Sequence, residues 1–235
     1  MKENILGIIF DCDGTLVDTE HAHFLSWQKA VHKRGMPFSK EEYAPFAGNN
    51  AIHVSRKLQE KLPTDSPEAI YHDKHQAYQE FHKSGIPLIE RTVRFLRVLI
   101  ERREELQIKL AVASAAPKRE LLNNLEHLGL THAFEAIVSG EDDLSHISDP
   151  EGVNKPKPYI YLHTAGLLGL KPSRCVAFED SRTGVLAAVS AGLITFAVPN
   201  AYTSQHDLSS ATFLIDPQAE IDVDEFFRKV RSRIN

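Results

Sequence analysis

Short, uninterrupted apolar runs punctuate this chain at residues 5–10, 110–113, 136–138, 176–178, 194–198 and 213–215. Runs of that length without polar alternation predict strands buried on both faces. Between the later runs, stretches 118–128, 159–168 and 183–191 repeat apolar residues at helical spacing, so strand and helix alternate. That alternation predicts a doubly wound α/β core, a parallel sheet with helical crossovers. Residues 20 to 85 break the rhythm. Helical patterns at 21–33, 51–62 and 67–82 are separated by Gly35, Pro37, Pro45, Gly48 and Pro63, with no convincing strand. The expected organisation is a core of residues 1–18 and 86–235, with a small helical cap, residues 19–85, inserted after the first strand. Its two connections would let the cap swing as a lid over the carboxyl ends of the strands, where open α/β sheets bind ligands.

Composition narrows the partners. The 235 residues are 42% hydrophobic and 25% charged, with a net charge of −5 and scattered basic residues. A nucleic-acid binder would cluster its basic residues on one face, so a small soluble metabolite is the expected partner. Cys12 and Cys175 are the only cysteines. They stand in no metal-ligand spacing, which argues against a disulfide framework or a zinc site and fits a reducing cytoplasm. The first apolar run is too short for a signal peptide, and no stretch approaches the ~20 apolar residues of a membrane span. The expectation is a soluble cytoplasmic protein, a monomer or weak homodimer.

The chemistry concentrates where runs end. Asp11-Cys12-Asp13-Gly14-Thr15 follows the first run directly. Alternate residues of an extended segment face the same side, so Asp11 and Asp13 converge on one site while Cys12 turns into the core. Two adjacent carboxylates repel unless a cation offsets them. Magnesium, a hard ion that takes oxygen ligands and grips phosphate, meets that need.

With these residues the chain resembles the haloacid dehalogenase-like superfamily. The resemblance is to the branch with a helical cap, which holds phosphoglycolate phosphatase-like enzymes and β-phosphoglucomutase, and it covers nearly the whole sequence. It implies a Rossmannoid core in which Asp11 is the nucleophile and Asp13 the general acid/base. Ser114, after the run at 110–113, would hydrogen-bond a phosphoryl oxygen. Lys155-Pro156-Lys157-Pro158 matches the family's Lys-Pro-x-Pro, making Lys155 the cation that offsets charge on the nucleophile and phosphoryl group. Phe178-Glu179-Asp180-Ser181 matches the metal loop. Asp180 would ligate magnesium with Asp11 and the Asp13 main-chain carbonyl, and Glu179 would ligate it or hold a coordinated water.

Within the cap, the resemblance points to His23, Trp27, Gly48 and Asn49 as residues facing the substrate. His23 and Trp27, four apart, equally fit a helix face packed against the core. A mutase needs a second phosphate site. Here Asn49-Asn50 follow Gly48 where it carries an arginine, Ala116-Pro117 replace its Ser-Lys pair, and no lysine near Glu80 matches its cap lysine. Hydrolysis of a phosphate monoester is therefore favoured over isomerisation of glucose phosphates. A phospho-receiver signalling module would not need the helical insert, and a haloacid dehalogenase would not need Asp13 or the metal loop.

Overall fold

The computed structural model describes residues 6–83 and 85–234. Six strands among them pair in parallel in the order β3-β2-β1-β4-β5-β6: β1 (Leu6–Phe10), β2 (Ile108–Ser114), β3 (Ala136–Ser139), β4 (Cys175–Glu179), β5 (Ile194–Ala197) and β6 (Phe213–Leu214). Each falls on one of the apolar runs; Ile5, at the start of the first run, lies outside the described residues. Between β1 and β2 come α1 (Glu20–His32), α2 (Lys40–Tyr43), α3 (Ala51–Gln59), α4 (Pro67–His82), α5 (Glu90–Glu101) and the single turn α6 (Arg103–Leu106). α7 (Lys118–His127) links β2 to β3, α8 (Tyr159–Leu167) links β3 to β4, α9 (Arg182–Ser190) links β4 to β5, and α10 (Val223–Arg231) follows β6.

The strands are apolar throughout because helices cover both faces of the sheet. Alternate residues divide between the faces. Ile8, Phe10, Val112, Val176 and Phe178 enter one cluster, with side chains of α5, α7 and α10. On that face the rings of Phe10 and Phe178 stack at 4.9 Å, and Phe196 lies 5.3 Å from Phe178. Ile9, Ala111, Ala113 and Ala177 enter the other cluster, where small residues let α8 and α9 approach closely. The amphipathic helices α5 and α10 were not among the sequence expectations. They bury Val93, Leu96 and Leu99, and Val223, Phe226 and Val230, each a set of residues three or four apart on one face.

The chain leaves β1 toward β2 and β3 on one side and returns to β4 on the other, so the strand order reverses beside β1. Crevices at such switch points, at the carboxyl ends of strands, are where open α/β sheets hold ligands. Above this end lie α1 to α4 with their own apolar cluster, including Phe24, Trp27, Val31, Val54, Leu58 and Ile70. Ser66 caps α4 by accepting from the Ala69 N–H at 3.1 Å, with Pro67 at the first helical position. The two connections to the cap run side by side. The Asp18 N–H donates to the Pro87 carbonyl at 2.8 Å and the Ile89 N–H to the Leu16 carbonyl at 3.0 Å. No helix among the described residues is long and apolar enough to cross a membrane.

Candidate active site

Immediately after β1 the backbone folds back on itself. The Leu16 N–H donates to the Cys12 carbonyl and the Gly14 N–H to the Val17 carbonyl, both at 2.8 Å. Gly14 has φ +79°, and a Cβ there would lie 2.3 Å from Asp180 Oδ2. Only glycine suits both the conformation and the approach. The turn leaves Asp11 buried and Asp13 partly exposed at one end of the sheet. Cys12 points the other way, fully buried in the aromatic-rich cluster. Burial and the flanking Asp13 and Asp11 charges push its thiol well above the ordinary range, so it offers no reactive thiolate.

Three buried carboxylates, Asp11, Glu179 and Asp180, bring ligand oxygens within 4.8 Å of one another. Lys155 reaches this cluster from the loop before α8. Its Nζ donates to Asp11 Oδ1 and Glu179 Oε1 at 2.6 Å each, and to the Ala113 carbonyl at 3.1 Å. Burial opposes its charge, but the Asp11 and Glu179 carboxylates hold the ammonium above its usual range. Three carboxylates against one ammonium leave two negative charges uncompensated. Burial first, then neighbouring carboxylates, push Asp11 and Asp180 well above normal, with Lys155 opposing in both cases. An all-oxygen, buried, doubly negative site fits a hard divalent cation.

Ser114 ends β2 and donates from Oγ to Asp13 Oδ2 at 2.9 Å, while Asn124 Nδ2 stands 3.5 Å from Asp13 Oδ1. The structure thus brings Asp11, Asp13, Ser114, Lys155, Glu179 and Asp180 together at the ends of β1, β2 and β4. It also adds Asn200, beyond β5. Asn200 Nδ2 donates to Asp180 Oδ2 at 2.7 Å and to the Gly14 carbonyl at 3.1 Å, tying the metal loop to the turn. Tyr161 likewise donates its hydroxyl to Glu179 Oε1. At Gly184 in α9, a Cβ would fall 1.9 Å from Glu179 Oε2, so this glycine makes room for the carboxylate.

A cavity of about 80 Å³ lies between this cluster and the cap. That is several times the roughly 10–15 Å³ one water needs, space for a small leaving group. His23, Trp27, Gly48 and Asn49 all border it. Trp27 is buried in the cap's apolar cluster yet lines the cavity, and the His23 ring stacks on Tyr78 at 4.4 Å. Gly48 meets the core: a Cβ there would lie 2.3 Å from Ser181 Cβ, and its carbonyl accepts from Thr183 Oγ1 at 2.9 Å. Lys157 pairs with Glu151 at 2.6 Å instead of joining the cluster.

The cavity lining includes residues that the sequence reading did not single out as site residues, among them Lys74, His75 and Glu20. Lys74 of α4, only 4% exposed, sits 4.6 Å from the Tyr78 ring centroid and 5.7 Å from that of Trp27. Lys74 and Tyr78 stand four apart on α4, a spacing that puts both on one helix face. His75 beside Lys74 is half-buried, and its Nδ1 lies 3.0 Å from Glu120 Oε1 in α7. Glu20, which opens α1, is 2% exposed and accepts from the Tyr43 hydroxyl at 2.6 Å.

Burial pushes the Glu20 carboxyl up to about 7, against the Tyr43 hydrogen bond that lowers it. The folded state therefore holds this proton more tightly than the unfolded chain, whose carboxyl titrates near 4.5. Stability from the neutral carboxyl is complete below pH 4.5 and is lost as pH rises through about 7. Urea denaturation of metal-free Glu20→Gln should show it gaining on the wild type between pH 4.5 and 8, by up to about 3 kcal/mol. A constant difference across that range would place the Glu20 proton elsewhere.

Comparison with known proteins follows the same lines. The sequence profile of haloacid dehalogenase-like hydrolases matches residues 8–198. A phosphorylated carbohydrates phosphatase of Thermotoga maritima is 30% identical over 217 residues, 90% of this chain and 91% of the relative. A fructose-1-phosphate phosphatase of Escherichia coli is 28% identical over 197 residues, 82% of this chain and 96% of the relative. The crystal structure of a β-phosphoglucomutase from Clostridium difficile superposes with a TM-score of 0.76 over 98% of this chain and 99% of its own. At 22% identity that likeness is one of fold. Because the matched profile runs from within β1 to just past β5, taking in the ends of β1, β2 and β4, this chain belongs to the haloacid dehalogenase-like hydrolase family.

Proposed function

We propose that this protein hydrolyses a small phosphate monoester, of the sugar phosphate or phosphoglycolate-like class, through an aspartyl-phosphate on Asp11. The reading rests on one observation above all: Asp11, Asp13, Ser114 and Lys155 border a single cavity, with Glu179 and Asp180 packed beside Asp11. A carboxylate oxygen of Asp11 attacks phosphorus while the ester P–O bond breaks, and the Asp13 carboxyl gives its proton to the leaving alkoxide. Asp13, now ionised, takes a proton from the water that attacks the aspartyl-phosphate, releasing inorganic phosphate and restoring Asp11. Ser114 Oγ turns from Asp13 to donate to a phosphoryl oxygen, and Lys155 offsets the charge that builds on the oxygens. Asp11, Asp180, Glu179 and the Asp13 carbonyl would hold Mg²⁺, which supplies Lewis-acid charge neutralisation when bound. Residues 19–85 act as a hinged cap on the paired connections at 17–18 and 87–89, closing the cavity against water.

A mutase is the second reading, favoured by Lys74, His23 and Trp27 in the cavity wall. Against it, Ala51, Ala116 and Pro117 of the same cavity wall carry no side-chain donor that could hold a second phosphate. The test offers purified protein and Mg²⁺ a panel of phosphate esters, including β-glucose 1-phosphate with a trace of its 1,6-bisphosphate. Magnesium-dependent phosphate release is the expected result. Glucose 6-phosphate appearing without free phosphate would instead make the protein a mutase.

A further inference from the structure

The leaving group must be recognised by what the cavity offers beyond the reacting carboxylates. Its basic side chains are Lys74, Lys155, His23 and His75, and Lys155 is already engaged by Asp11 and Glu179. His75 leans on Glu120. Burial and the nearby Lys74 charge hold its imidazole below the usual range, so at neutral pH it donates a hydrogen bond without contributing a cation. That leaves Lys74. Its ammonium is nearly sealed from solvent, flanked by the Trp27 and Tyr78 rings, and engaged in no hydrogen bond or salt bridge with another described residue. Burial lowers its pKa, and the Glu120, Asp13, Glu20 and Glu141 charges oppose that shift.

Two carboxylates border the cavity alongside Lys74. Glu120 comes from α7, and Glu141 from the turn after β3, with Tyr71 lining the same cavity. Their charges bear on each other and on Lys74. A second phosphate or a carboxylate on the ester would meet one ammonium and two carboxylates in a partly desolvated space, which is net repulsive. Hydroxyl groups would meet the opposite. Carboxylates accept from them, Lys74 donates to them, and the Trp27 face packs the C–H side of a sugar or polyol.

We propose that Glu120 and Glu141 determine specificity, restricting the ester to a monophosphate with an uncharged, polyhydroxylated leaving group and rejecting esters with a second anion. The proposal rests on the phosphatase reading and narrows it to one side of the class given there. Four esters test it: glucose 6-phosphate, phosphoglycolate, fructose 1,6-bisphosphate and p-nitrophenyl phosphate, which has neither hydroxyls nor a second anion. The wild type should favour glucose 6-phosphate over phosphoglycolate and the bisphosphate by tenfold or more in kcat/KM. In Glu120→Gln, Glu141→Gln and the double variant, that ratio should fall at least threefold. A structural defect would lower all esters together and leave the ratio unmoved, which overturns the proposal, as does a wild type that takes the doubly anionic esters equally well. Failure to release phosphate even from p-nitrophenyl phosphate would strike the phosphatase reading instead. The discrimination is still read in that case, from the rise in melting temperature each ester produces with Asp11→Asn: the same order of preference is expected, and equal shifts from all the esters overturn it.

Discussion

Asp11→Asn should lower kcat for phosphate release by about four orders of magnitude or more while leaving the fold intact. The amide has the shape of the carboxylate and keeps an acceptor oxygen for Lys155, whose Nζ lies 2.6 Å from Asp11 Oδ1. It cannot attack phosphorus at a useful rate. Removing one of three crowded, buried carboxylates also relieves repulsion that Lys155 offsets only in part. The melting temperature without metal should therefore hold steady or rise. Initial rates and melting curves in one buffer check both halves, and activity within tenfold of wild type would remove Asp11 from the nucleophile's role.

Lys155→Ala should show the opposite balance. The ammonium is 8% exposed and is the described cation in hydrogen-bond contact with Asp11 and Glu179. Without it, buried carboxylates face one another uncompensated. Breaking a buried pair from one side costs about 3–5 kcal/mol, and urea denaturation at pH 7 with a chelator present should register a loss of that order. The loss should shrink toward pH 5, because Asp11 and Asp180 already titrate high and would protonate more readily without the lysine. Added Mg²⁺ should restore part of the stability but not turnover. A loss below about 1 kcal/mol at pH 7 would mean the cluster is neutralised by other means.

The strands were readable because burial on both faces is written locally, as residues without polar interruption. Phe10, Phe178 and Phe196 are apolar wherever their strands sit in the sheet, and the acids that follow β1 and β4 mark the ends by contrast. Asp11, Asp13, Glu179 and Asp180 could be picked out for the same reason, since charged residues directly after a buried strand have no packing role. Lys74, Glu20 and Asn200 carried no such contrast. Each is a polar residue in polar surroundings along the chain, and each becomes significant through a contact distant in sequence, as when Asn200 reaches Gly14 across 186 positions.

Local pattern was therefore enough for the strands, the crossover helices α7 to α9, the helical insert and the acids at strand ends, because periodicity and abrupt changes of polarity are properties of neighbouring residues. The neighbours of β1, the burial of Lys74 among aromatic rings, the pairing of His75 with Glu120 and the crowding that pushes Glu20 up to about 7 came from the packing of cap on core. Desolvation and charge coupling depend on distances through space, and those exist only once the separate elements have docked.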